Sequence, residues 1–180
     1  MYDQKTQEQR DYDIAIIRPE VRNGNIQIRT QGLSSSKLKK IKKGLRTLHT
    51  MELMAITIYR FQITSEASEH NRQLIAAMCN EMTHYQDFQV KLCEYCFKPS
   101  ATRWAYWFVG FIFGFFSRLR GRKAVLQIGI WLETKAVHHY SELLATIDWD
   151  GDTRKIIEKD QSDESGHISR WKKLLQSNQE

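Results

Sequence analysis

Proline is scarce in this chain: Pro19 and Pro99 are the two in 180 residues. Long stretches therefore lack the residue that breaks helices, and the apolar positions within them recur at helical spacing. Cysteine is scarce as well. Three thiols, an odd number, exclude a disulfide scaffold and fit a reducing compartment. Cys93 and Cys96 form a single Cys-x-x-Cys pair, with no second pair to complete the four ligands of a structural zinc. A glycine-rich dinucleotide fingerprint is missing. So is any apolar run of the roughly 20 residues that a membrane-crossing helix needs. The opening MYDQKTQEQRDYD carries acids and no apolar stretch, unlike a secretory signal or a transit peptide.

What is present begins with charge. Lys and Arg outnumber Asp and Glu by 27 to 21, a balance that favours an anionic partner, either nucleic acid or a membrane surface. No nucleic-acid-binding motif occurs, so a membrane surface is expected and nucleic acid is not. Residues 1–35 read as an N-terminal arm, either flexible or a small hairpin of "IAII" (14–17) and "IQIR" (26–29) around an Asn-Gly turn signal. Residues 36–180 read as an all-α bundle of four long helices. These run from about Lys37 to Ile63, Glu66 to Phe97, just after Gly121 to Ile147, and just after Gly151–Asp152 to Leu175. "SSS" at 34–36 supplies a cap for the first.

Each apolar stripe is interrupted by an acid. Glu52 fills the gap between Leu48 and Ala55. Glu81 and His84 lie between Met78 and Phe88, Glu133 lies between Gly129 and Ala136, and Glu164 and His167 lie between Ile157 and Trp171. A buried carboxylate is expensive unless it is paired or bound to metal, and no matching set of Lys or Arg occupies the stripes. One Glu from each of two helices and a Glu-x-x-His from each of two others is the ligand pattern of ferritin-like di-iron bundles. The spacing of three puts both ligands of each pair on one helix face. Glu52 and Glu81 are 29 residues apart and Glu133 and Glu164 are 31 apart, as in two similar helical hairpins. The metal ligands expected are Glu52, Glu81, His84, Glu133, Glu164 and His167, holding two iron ions (Fe2+/Fe3+).

Between the hairpins lies WAYWFVGFIFGFF, residues 104–116, without a charge and rich in aromatics. Arg103 precedes it, and Arg118, Arg120, Arg122 and Lys123 follow. This suits a segment lying in one leaflet with basic residues at anionic headgroups; a buried core helix is the other reading. KLKKIKKGLR, 37–46, adds six basic residues in ten.

These residues together resemble the demethoxyubiquinone hydroxylases of ubiquinone biosynthesis, ferritin-like di-iron monooxygenases associated with membranes. The segments that carry the resemblance are HTMELMAITIYRFQ (49–62), NEMTHYQDF (80–88), KPSATRWAYWFVGFIFGFFSRLRGRKAV (98–125), ETKAVHHY (133–140) and DESGH (163–167). Thr50 and Met51 stand where that family usually has Ala-Gly, and Phe61 where it has Gly. The resemblance implies an oxidoreductase that hydroxylates a lipid-soluble quinone precursor with O2 and an external electron donor. It also implies a location on a membrane surface, here expected to be the cytoplasmic face of a bacterial inner membrane rather than the mitochondrial inner membrane. His139 and Tyr140 resemble family residues near the iron and are the candidate catalytic pair. Asp160 and Asp163 are candidate acceptors for a ligand imidazole. A homo-oligomer is compatible with all of this. Two other classes fit parts of the pattern: a rubrerythrin- or ferritin-like protein for peroxide reduction or iron oxidation, and a non-enzymatic lipid-binding scaffold.

Overall fold

A computed structural model describes residues 26–177. It contains five helices and, among the described residues, no strand: α1 (Ser35–Gln62), α2 (Glu69–Glu94), α3 (Arg103–Leu119), α4 (Arg122–Thr146) and α5 (Gly151–Gln176). Helices α1, α2, α4 and α5 are the four expected from the apolar periodicity, and α3 is the aromatic segment between the hairpins. Side-chain oxygens cap three helix starts. Ser34 Oγ accepts from Lys37 N–H, Ser68 Oγ from Asn71 N–H, and the Asp150 carboxylate from the N–H groups of Asp152 and Thr153. All three thiols are free.

Helix α1 packs against α2 and α3, and α4 packs against α5. Two apolar layers result. One gathers Ile41, Leu45, Leu48, Phe88, Leu92, Tyr140 and Ile157 at one end of the bundle. The other gathers Ala55, Ile58, Tyr59, Leu74, Leu126, Leu132 and Trp171 at the opposite end. The six acid and imidazole side chains sit in the sequence gaps between these layers, so the layers bracket them.

Helix α3 approaches α1 unusually closely. A Cβ placed on Gly114 would lie 2.6 Å from Ile58 O, and one on Gly110 would lie 2.7 Å from Met54 O. Only glycine allows that approach at these two positions. Ser117, one turn further on, accepts a hydrogen bond from Gln62 Nε2 at 2.8 Å. The small face of α3 is thus spent on α1, and most of its large aromatic residues are left outside. Trp104, Phe108, Phe116 and Leu119 are 71%, 50%, 48% and 66% exposed. The core-helix reading of 104–116 does not hold on that face. Among the described residues no helix is long and apolar enough to cross a membrane.

The arm expected over 1–35 falls mostly outside the described residues, including 14–17 of the expected hairpin; 26–29 form no strand. Arg29, however, is tied down. Its guanidinium reaches Glu94 at 2.5 Å, Asp150 at 2.9 Å and Asp152 at 2.8 Å, and its backbone N–H donates to Glu94 O. It joins the end of α2 to the start of α5, the two hairpins' adjacent corners.

Candidate metal centre

Helices α1 and α4 each contribute one carboxylate, Glu52 and Glu133. Helices α2 and α5 each contribute a Glu and a His one turn apart, Glu81 with His84 and Glu164 with His167. All six side chains are buried, none more than 2% exposed. Their ligand atoms fall into two groups, each within 4.8 Å across: Glu52, Glu81, His84 and Glu164, and Glu81, Glu133, Glu164 and His167. Glu81 and Glu164 belong to both, so they lie between two positions that each hold one imidazole and one further carboxylate.

The imidazole–carboxylate contacts of the second group are short but poorly aligned as hydrogen bonds. His167 Nδ1 is 3.0 Å from Glu81, 3.2 Å from Glu164 and 3.5 Å from Glu133. Yet both ring nitrogens of His167, both oxygens of Glu81 and Oε2 of Glu164 have no hydrogen-bond partner. Buried polar atoms are normally satisfied. Atoms that converge on a common point, rather than on one another, are what a cation between them would require.

The imidazole of His84 is held from behind. Its Nδ1 faces Glu164 at 3.1 Å, with Glu81 and Glu52 at 3.7 and 3.8 Å. Its Nε2 lies 3.2 Å from Asp163 and 3.6 Å from Asp160. An acceptor on the second nitrogen fixes tautomer and ring orientation, and the two aspartates expected for that task supply it.

Two tyrosines cross between helices. Tyr140 of α4 donates to Glu52 of α1 at 2.6 Å. Tyr59 of α1 donates in a short hydrogen bond to Glu133 of α4, and Trp171 Nε1 donates to the Tyr59 hydroxyl at 3.2 Å. Each non-shared carboxylate is therefore oriented by a phenol from the opposite helix. Burial, then the adjacent carboxylate, pushes both phenols well above their ordinary range, so they remain donors. Tyr59 escapes a reading of ligand types alone, although the sequence repeats Glu-x6-Tyr on both helices (Glu52 with Tyr59, Glu133 with Tyr140). His139 separates from its neighbour. It is half exposed, faces Glu142 at 3.6 Å and makes no hydrogen bond or ion pair with any of the six side chains.

A cavity of about 410 Å3 opens on this centre between α1 and α4. Three carboxylates (Glu52, Glu81 and Glu133) line its floor. Met51, Met54, Ala55, Trp131, Leu132 and Ala136 make apolar walls, and Tyr106, Lys135 and His139 also line it. The two imidazoles and Glu164 lie on the closed side.

Protonation is set by burial and crowding. Burial pushes the Glu133 carboxyl up to about 8, with Glu164 adding to the rise and His167 opposing it. Burial also lifts Glu52 well above the carboxylate range, opposed by His84 and reinforced by Glu81 and Glu164. For the imidazoles burial works toward neutrality but is overcome. Glu164, Glu52 and Glu81 hold the His84 proton, and Glu133, Glu164 and Glu81 raise His167 to about 11. Without a cation all four shifts favour the protonated form. All four are raised, so the stability they confer is fully present below their unfolded values and lost as pH rises through their folded ones. For Glu133 the window runs from 4.5 to about 8, and for His167 from 6.5 to about 11. The metal-free protein is expected to melt at lower temperature at pH 8 than near pH 5, by several degrees, since about 1 kcal/mol shifts a chain of this size by roughly 2–4 °C. Adding a divalent cation near neutral pH should release protons into a weakly buffered solution and reverse that loss. A melting temperature flat across that range, with no proton release on titration, would contradict this protonation scheme.

Comparison with known proteins follows the same residues. A family model described as ubiquinone biosynthesis protein COQ7 matches residues 39–178, a span that includes all six side chains. The mitochondrial NADPH-dependent 3-demethoxyubiquinone 3-hydroxylase of Dictyostelium discoideum is 28% identical over 157 residues, covering 81% of this chain and 72% of that protein.

Proposed function

The chain belongs to the ubiquinone biosynthesis protein COQ7 family, and from that premise we propose that it is a di-iron, O2-dependent monooxygenase hydroxylating the ring of a demethoxyubiquinone-like quinone precursor. The hydroxylase named among its relatives supports the reaction class. The observation that carries the metal reading is the pair of buried ligand groups sharing Glu81 and Glu164, with atoms left unsatisfied by any protein partner. Glu52 and His84 would complete one iron site, and Glu133 and His167 the other. Two irons bound there would supply O2 activation.

The chain's own side chains do the rest. Asp163 and Asp160 keep the His84 ring turned so that Nδ1 faces the centre. Tyr140 and Tyr59 hold Glu52 and Glu133, the carboxylates that line the cavity. The apolar walls formed by Met51, Met54, Trp131 and Leu132 accept a flat ring and exclude water. The histidine side is closed, so ring and O2 must both approach from the α1–α4 side. Overall, a ring C–H and O2 with two electrons and two protons give C–OH and water. NADPH is the proposed source of the electrons, as for the relative. Reading the site as peroxidase or iron oxidase leaves the apolar walls without a use, and reading the protein as a scaffold leaves the buried carboxylates without one.

We further propose that α3 attaches the protein to a membrane surface. The relative is named as mitochondrial, and nothing supports the bacterial inner-membrane face expected from the sequence.

The reaction is tested by incubating the iron-loaded protein aerobically with a demethoxyubiquinone analogue and a chemical reductant, then measuring the hydroxylated quinone by mass spectrometry. Wild type should form it, and Glu164→Ala should not. Equal rates from the two would remove Glu164 from the chemistry.

A further inference from the structure

Helix α4 turns one continuous face toward the cavity above the metal centre. Leu132, Lys135, Ala136 and His139 recur at spacings of three and four, so they share that face, and all four line the cavity. Leu132 and Ala136 are buried, whereas Lys135 and His139 are exposed. The face therefore passes from the cavity wall to its mouth. The His139 ring lies against Glu142 of its own helix at 3.6 Å. Lys135 pairs with no acid among the described residues. It carries the one ammonium or guanidinium in the lining of this cavity. An amphipathic lysine covers apolar surface with its stem and presents its charged head at the edge; here that edge is the entrance to the site.

The chemistry of a quinone ring supplies the second half of the argument. Its two faces are apolar, and its two carbonyl oxygens accept hydrogen bonds but cannot donate them. The apolar walls suit the faces and leave the oxygens without partners, and burying an acceptor unpaired costs free energy. The cavity floor is made of Glu52, Glu81 and Glu133, which with a cation bound are acceptors too. In a 1,4-quinone one carbonyl stands next to the ring C–H and the other lies across the ring. When the C–H edge faces the centre, the far carbonyl faces the mouth, where Lys135 stands. An ionised donor makes the stronger hydrogen bond, and the flexible lysine stem can bring its three N–H groups to an oxygen there.

We propose that Lys135 recognises the substrate: its ammonium donates to the far carbonyl oxygen of the quinone ring and so fixes which ring edge is presented to the centre. The inference rests on the hydroxylase reading above and adds to it a residue that selects and orients the ring. Lys135 takes no part in the bond changes; it holds the substrate while they occur.

The test uses iron-loaded wild type and Lys135→Met without O2 or reductant. Each is equilibrated by dialysis with a short-tailed demethoxyubiquinone analogue, and separately with a benzene ring that bears the same substituents but no carbonyl. Lys135→Met should bind the quinone about tenfold or more weakly and the carbonyl-free ring within twofold of wild type. Iron content and melting temperature should match wild type, since the side chain is exposed. In turnover with a chemical reductant, KM for the quinone should rise by a similar factor. Quinone affinity within twofold of wild type would overturn the proposal. So would an equal weakening of both rings, which would make Lys135 a part of the cavity's shape rather than a partner of the carbonyl. Turnover by wild type separates this inference from the reading it rests on. If wild type hydroxylates the quinone while the variant binds it normally, only the role of Lys135 falls. If binding depends on Lys135 and on the carbonyls but no hydroxylated product ever forms, the hydroxylase reading falls and the recognition stands.

Discussion

Glu81→Ala should remove essentially all iron, where the wild-type protein is expected to bind about two ions per chain. Glu81 belongs to both ligand groups, so its loss takes an oxygen from each position at once and leaves His84 and His167 facing fewer carboxylates. Glu52→Ala removes a ligand from one group only and should retain partial occupancy. The helices should survive both changes, because the apolar layers on either side of the centre do not contain these residues. Removing a buried carboxylate also removes the like charge that crowds its neighbours. Tyr59→Phe and Tyr140→Phe form the informative intermediate case. Each leaves the ligand in place but frees it to turn, and loss of such an orienting partner typically costs about 10–100-fold in metal affinity. Iron quantified after anaerobic reconstitution, with circular dichroism on the same samples, gives the answer. Full occupancy in Glu81→Ala would end the metal reading.

The four long helices and the six ligand-type residues were legible because both follow from periodicity. A helix repeats every 3.6 residues, and an acid that falls on an otherwise apolar stripe is conspicuous at the level of residue type. What periodicity cannot show is which side chain from another helix meets it. Tyr59 occupies a position that fits the core stripe of α1 and reads as an ordinary core aromatic; its hydroxyl bond to Glu133 depends on how α4 is placed beside α1. The same limit explains Ile58. The helical spacing offers Ala55 or Ile56 after Leu48; Ala55 is buried and Ile56 is not, while Ile58, off that stripe, is fully buried. Helix α1 is covered on a second side by α3, whose Gly114 lies against Ile58, and a helix buried on two sides has no single stripe. Arg29 was invisible for a different reason, since its three acidic partners are 65 to 123 residues away. His139 and Tyr140 are adjacent in sequence and look like a pair; successive residues on a helix point about 100° apart, and Tyr140 faces Glu52 while His139 lines the cavity.

Vesicle binding should be lost when Phe108→Glu is combined with Phe116→Glu. Helix α3 has 17 residues, about 26 Å of helix, too short for a membrane-crossing segment. It is held to α1 through Gly110, Gly114 and Ser117. Its outward face carries Trp104, Trp107, Phe108, Phe115 and Phe116, a concentration of exposed aromatics of the kind that marks an interaction surface. Each such side chain contributes up to about 1.5–3 kcal/mol when fully taken out of water, whereas a basic residue near an anionic surface contributes about 1 kcal/mol and is screened by salt. Apolar insertion should therefore dominate. High salt should weaken the binding of wild type to phosphatidylglycerol vesicles without abolishing it, and the double variant should not sediment with vesicles at any salt. Phe108 and Phe116 are the right pair because both are half exposed, while Phe111 packs edge-on against Phe61 at 4.8 Å and helps hold α3 in place. Iron content should not change, because no ligand lies on α3. If the double variant instead keeps its vesicle binding, the aromatic face is not the attachment surface. If it loses iron and helicity without lipid, that face is part of the fold, and a membrane-borne quinone loses its route to the cavity.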